Sequence, residues 1–248
     1  ESATYTITLG EPQEFKPLTY GRFVPERKDD FVWENDRVAF RAYGPALIAS
    51  DGPSNGIDAW YKRTNELVVD KWYKDDLAGV ASYHEDHGEG QDDYKVGRSL
   101  GAGAMAPYVN NKLWLNENYA SQEVLENGPL RTTFKLTYKN LDVDGKSIAE
   151  SRTISIDAGS QLNKIVQAYT IKEPMLVAGG FVKRAKNASI IAGDNYIVYV
   201  EPESKVVDKV FMGIVFPQVM EKQIVDTYEV VNNKNQKSTY SHVLGVTT

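Results

Sequence analysis

An antiparallel all-β fold, a large sandwich or barrel with few short helices, is what this 248-residue sequence predicts. Three observations carry the prediction. Apolar and polar residues alternate with period two over much of the chain, turn signals recur roughly every ten residues, and strand-like runs follow one another without the intervening helices of βαβ units.

In chain order, residues 4–9 and 38–50 read as strands, whereas residues 57–77, with Trp60, Leu67, Val68, Trp72 and Tyr73, read as a short helix or a covering loop. From Leu130 to Tyr138 one parity holds Leu130, Thr132, Phe134, Leu136 and Tyr138 and the other Arg131, Thr133, Lys135 and Thr137. That is the period of a half-buried strand. Asp144-Gly145 accepts positive φ at low cost, so residues 135–143 and 146–156 should pair as a hairpin. Further strands are expected at 161–171, 175–183, 196–200, 206–216, 223–231 and 241–248. Asp157-Ala-Gly159, Glu173-Pro174, Gly193-Asp194, Glu201-Pro202 and Asn232-Asn233 mark the turns between them. Glu150 and Arg152 share parity with Ile148, Ile154 and Ile156, which points both charges inward as a buried pair or at a bulge.

With 42% hydrophobic and 25% charged residues the chain can bury a full core, and residues 1–248 read as a single domain, with the strand character of the last residues leaving room for continuation at the C-terminus. A formal net charge of −6 argues against general affinity for nucleic acid or anionic membranes. There is no cysteine, which excludes disulfides, thiolate metal sites and cysteine nucleophiles. No run reaches the roughly 18 apolar residues of a membrane span. The first residue is Glu1 rather than Met, which reads as a chain whose leader has been removed or trimmed, and so as a periplasmic or extracellular protein.

Residues 83–103 concentrate the chemistry, placing His84, His87, five carboxylates, Lys95 and Arg98 among repeated glycines. The spacing His84-Glu-Asp-His87 is wrong for a zincin, so no metal ligands are assigned. An oxygen-rich loop leaves structural calcium open as an alternative to no cofactor. General acid–base chemistry is the other reading, with a histidine flanked by Tyr83, Tyr94 and Tyr108, and with Lys95 and Arg98 to hold a carboxylate. A solvated acidic loop would look the same. Asp58, Trp60, Lys62 and Arg63 form a second cluster that suits a sugar acid, the ring stacking on the sugar and the cations meeting its carboxylate. Trp60 as core and Lys62-Arg63 as a wet edge is the alternative. His242 is isolated. No Gly-x-Ser-x-Gly elbow, P-loop or dinucleotide fingerprint is present.

Pro25-Glu-Arg-Lys-Asp-Asp-Phe through Pro45, Gly56-Ile-Asp-Ala-Trp-Tyr-Lys-Arg63 and the 83–103 stretch together resemble a domain-of-unknown-function family of exported proteins from polysaccharide-degrading Bacteroidetes. The resemblance implies a β-sandwich of the galactose-mutarotase and polysaccharide-lyase type, a supersandwich. It also implies an oligosaccharide partner and a dehydratase that removes water across C4 and C5 of a terminal uronic acid, as in ulvan-type oligosaccharides. On that reading His84 or His87 is the base, Tyr94 the acid, and Arg98 with Lys62 or Arg63 neutralises the carboxylate. A non-catalytic carbohydrate-binding protein and a mutarotase-like epimerase are the alternatives.

Overall fold

A computed structural model describes residues 2–11, 13–231 and 235–248. Five strands come first: β1 (Thr19–Val24), β2 (Asp30–Asn35), β3 (Ala39–Ala42), β4 (Ile57–Lys62) and β5 (Gly90–Gln91). Helix α1 (Ile48–Asp51) lies between β3 and β4, and α2 (Val69–Leu77) between β4 and β5. There follow β6 (Ala102–Val109), β7 (Lys112–Leu113), β8 (Ser121–Asn127), β9 (Arg131–Thr137), β10 (Leu141–Val143), β11 (Lys146–Ile148), β12 (Glu150–Asp157) and β13 (Asn163–Tyr169). The chain ends with β14 (Val177–Val182), β15 (Ser189–Ala192), β16 (Tyr196–Val200), β17 (Phe211–Val215), β18 (Lys222–Val231) and β19 (Lys237–Thr247).

These strands build a mostly-β sandwich with few short helices, paired antiparallel throughout the named ladders. The sheet orders are β1-β2-β3-β4-β5, β13-β12-β9-β8, β18-β19-β14-β6-β7 and β15-β16-β17, beside the small β10-β11 hairpin. The main core is shared among the sheets. Phe31 and Trp33 of β2 pack on Phe134 of β9 with ring centroids 4.2 and 4.9 Å apart, while Ala104, Ala178 and Leu244 close the same cluster from the third sheet. Each such buried aromatic contributes roughly 1.5–3 kcal/mol by leaving water. Among the described residues no helix is long and apolar enough to cross a membrane.

The expected turn at Asp144-Gly145 forms with both residues at positive φ, 52° and 80°, as a two-residue hairpin loop requires. The long hairpin is divided, however: β10 pairs with β11 and β9 with β12, separately. Inward Glu150 and Arg152 do form a buried pair, with Nη2 to Oε1 at 2.9 Å. Other expectations are corrected. Residues 4–9 form no strand and lie exposed. The strand expected over 38–50 stops at Ala42, and a 3₁₀ turn from Pro45 to Leu47 leads into α1, since proline opens a helical turn but cannot donate to a ladder. Residues 57–77 are neither one helix nor a loop but β4 followed by α2. The turn at Asn232-Asn233 lies outside the described residues.

Candidate functional site

Strand alternation gives the first sheet two faces with different chemistry. On one face Phe31, Trp33, Phe40, Ala59 and Tyr61 are apolar or aromatic; on the other stand Asp30, Glu34, Arg41, Asp58, Trp60 and Lys62. The second face is covered by α2 and by the 83–92 loop. Trp60 stacks on Trp72 at 5.5 Å and on Tyr83 at 5.2 Å, sealing the polar groups from water. Gly90 lets the loop return as β5, since a Cβ there would lie 1.9 Å from the Tyr61 carbonyl oxygen.

Arg41 is the hub of this face. Its Nη2 donates to Asp58 Oδ2 at 2.6 Å and to Asp92 Oδ2 at 2.7 Å, Nε donates to Asp58 at 2.9 Å, and Asp30 Oδ2 lies 3.9 Å from Nη1. The Tyr83 hydroxyl accepts from Nη1 at 3.3 Å and the Tyr43 hydroxyl from Nη2 at 3.5 Å. Arg27 adds a second cation 3.1 Å from Asp30. Three carboxylates thus face two guanidinium groups in a space shielded from water. Burial pushes Asp92 up to about 7, helped by the Asp58 charge, and pushes Asp30 up to about 6. Burial raises Asp58 as well. The cluster therefore holds a proton it can exchange near neutrality.

His84 connects that cluster to solvent. Its side chain is 59% exposed, its Nδ1 lies 2.9 Å from the Asp92 carbonyl oxygen and 3.7 Å from Asp92 Oδ2. A carbonyl oxygen only accepts, so in the neutral ring Nδ1 carries the hydrogen and Nε2 keeps a free lone pair. His87 is held the other way, Nε2 donating to the Ser82 carbonyl oxygen at 3.2 Å.

The other residues singled out from the sequence scatter around this point. Asp58 and Trp60 belong to the buried cluster, Trp60 Nε1 donating to Asp58 Oδ2 at 3.3 Å. Lys62 Nζ is also buried, bound to Glu34 Oε2 at 2.7 Å and to the Asn35 carbonyl oxygen at 2.6 Å. Glu34 in turn accepts the Val68 and Val69 N–H groups at the start of α2, so Lys62 anchors a helix terminus. Arg98 spends its guanidinium on the Asn116 and Leu115 carbonyl oxygens. Tyr94 is 3% exposed, its hydroxyl has no hydrogen-bond partner among the described residues, and Arg184 lies 4.3 Å from its ring. Lys95 is exposed. Arg63 is half-exposed and bridges Asp86 at 3.0 Å and Asp208 at 3.7 Å.

Arg63 also lines a cleft of about 810 Å³, together with Arg37, Phe40, Tyr61, Asp86, Gln91 and the 206–217 segment. Neither histidine lines it. Among the described residues no group of three or more His, Asp or Glu is arranged to hold a metal ion. The loop carboxylates have other partners: Asp86 accepts the Gly88 and Gly90 amides, and Glu89 accepts from Lys71 and Trp72.

Arg27, Asp30, Arg41 and Tyr43 are members of this cluster that sequence reasoning passed over individually. One signal was available. Arg41 stands between Phe40 and Ala42 in an otherwise apolar strand, where a charge at inward parity needs a carboxylate opposite.

The three segments named for their resemblance, 25–45, 56–63 and 83–103, meet at this cluster. The chain is 40% identical over 152 residues to "Uncharacterized protein P7" of Formosa agariphila, covering 58% of this chain and 38% of that protein. The chain thus matches well under two thirds of the length of its curated relative. No solved structure matches. A family model described as a domain of unknown function matches residues 1–247, and the chain belongs to that family, DUF4861.

Proposed function

We propose that the protein is a carbohydrate-active enzyme acting on uronic-acid-containing oligosaccharides, eliminating water to leave a 4,5-unsaturated uronate. The observation that supports this most is the half-exposed His84 ring, oriented through Nδ1 on Asp92 and presenting Nε2 above a buried, proton-holding cluster. In this reading Nε2 takes the C5 proton, the C5–H electrons form the C4=C5 bond, and the C4 hydroxyl leaves as water after receiving a proton. Tyr43 supplies that proton. Burial keeps its hydroxyl protonated well above neutral pH, and it shares Arg41 Nη2 with Asp92. Arg27, partly exposed beside the Tyr43 ring at 5.9 Å, balances the substrate carboxylate. The proposal includes action after export, in the periplasm or outside the cell, where polymeric uronates are met.

The test is incubation with a panel of uronic-acid oligosaccharides, read by ultraviolet absorbance and by mass. A new absorbance with loss of one water supports dehydration, and His84→Ala is expected to reduce the rate by about 10²–10⁴-fold. Full activity in folded His84→Ala sinks the assignment. A second reading, a non-catalytic carbohydrate-binding protein, is favoured by one observation: the aromatic, arginine-rimmed cleft has no histidine in it. Binding without turnover across the panel would select it.

A further inference from the structure

Residues 4–9 have the pattern of a strand and lack its pairing. Thr4, Thr6 and Thr8 alternate with Tyr5, Ile7 and Leu9, and the last three are 85%, 94% and 104% exposed. A β-branched and aromatic segment of period two is a strand in want of an edge.

The molecule offers such an edge. β17 pairs with β16 on one side and with no strand on the other among the described residues. Its sequence, Phe211-Met-Gly-Ile-Val215, holds neither charge nor proline, the devices by which open edges usually avoid pairing. Phe211 and Val215 are 66% and 64% exposed. Residues 206–217, β17 among them, line the cleft without a break.

The arm is rooted near residues that line the cleft. The Leu18 carbonyl oxygen accepts the Asp36 N–H at 3.0 Å, next to Arg37, and Lys16 Nζ pairs with Glu66 Oε2 at 2.7 Å, three residues beyond Arg63. Arg37 and Arg63 both line the cleft. Residues 10–16, fully extended, span about 25 Å.

We infer that residues 4–9 add to β17 of the same chain as a further strand, filling the cleft. The added strand gives β17 a second ladder and takes Tyr5, Ile7 and Leu9 out of water by covering Phe211 and Val215. This inference does not rest on the enzymatic reading, whose histidines do not line the cleft.

Because the chain has no cysteine, two introduced thiols report proximity without background. Gly213→Cys is combined in turn with Tyr5→Cys, Ile7→Cys or Leu9→Cys; a Cβ at Gly213 meets nothing nearer than 4.0 Å. The control pairs each arm cysteine with Glu123→Cys on the open edge of β8. In dilute oxidation, at least one Gly213 pair is expected to close within one chain about 10-fold faster than its control. Equal rates overturn the inference, and a disulfide formed only between two molecules overturns the same-chain arrangement in favour of a second copy. Hydrogen exchange of the peptide containing β17 is a check free of the Gly213 substitution. Replacing both Tyr5 and Ile7 by Asp is expected to speed that exchange about 10-fold, and unchanged exchange overturns the inference.

Discussion

Two buried arginines on different sheets face opposite electrostatic situations. Arg152 of β12 meets one carboxylate, Glu150, whose oxygens also accept from the Asn116 and Gln167 amides at 2.9 and 2.8 Å, while Arg152 Nη1 donates to the Asn55 carbonyl oxygen. Arg41 of β3 instead meets three carboxylates. The first network is balanced and satisfied by neutral donors, which suits a fixed interior. The second carries surplus negative charge, and burial keeps part of it protonated near neutral pH, which suits proton exchange. Equal burial therefore does not mean equal role; the ratio of charges separates scaffold from candidate chemistry.

The comparison breaks most sharply at Arg41. Arg41→Met leaves the carboxylates without their hub, and urea unfolding at pH 8 should show a loss of roughly 3–5 kcal/mol. The deficit should shrink at pH 5, where the raised carboxyls are protonated. Arg152→Met strands only Glu150, which keeps its amide donors, so its loss should be smaller, about 3 kcal/mol or less. If Arg152→Met costs more than Arg41→Met, the contrast drawn between the networks is wrong.

Asp92→Asn sharpens the comparison through pH. The folded-state carboxyl, near 7, lies above its ordinary 3.8. The folded protein thus holds a proton that the unfolded chain releases between those values, and this contribution to stability is full below about pH 4 and lost as pH rises through 7. Wild type should lose stability from pH 5 to pH 8, and Asp92→Asn should flatten that fall by more than about 1 kcal/mol, Asp30 retaining part of the slope. An identical slope would show that Asp92 does not titrate there. The smallest effect is expected at the exposed pair Arg131–Asp157, 53% and 51% exposed, where Arg131→Ala should leave the urea midpoint essentially unchanged even at low salt.

Much of the scaffold was legible because period-two alternation is local. Phe134 and Leu136 face inward as their parity requires, and the Asp144-Gly145 turn follows from two residues that tolerate positive φ. Residues 83–103 stood out as a candidate site region, since histidines and carboxylates among glycines rarely serve packing. Roles were not legible. Lys62 and Arg98 look in sequence like free cations, yet Lys62 is consumed by Glu34 and Arg98 by two backbone carbonyls brought from elsewhere in the chain.

By itself the sequence determined the fold class, the hairpin turn, the inward direction of Glu150 and Arg152, and family membership. Tertiary structure alone decided that Asp30, Arg41, Asp58 and Asp92 converge, that the cleft is walled by Asp86 but by neither histidine, and that residues 4–9 pair with no strand among the described residues. The reason is physical. Alternation tells which side chains share a face of a strand, but what covers that face, and which edge receives a strand, depends on pairings between residues far apart in the chain.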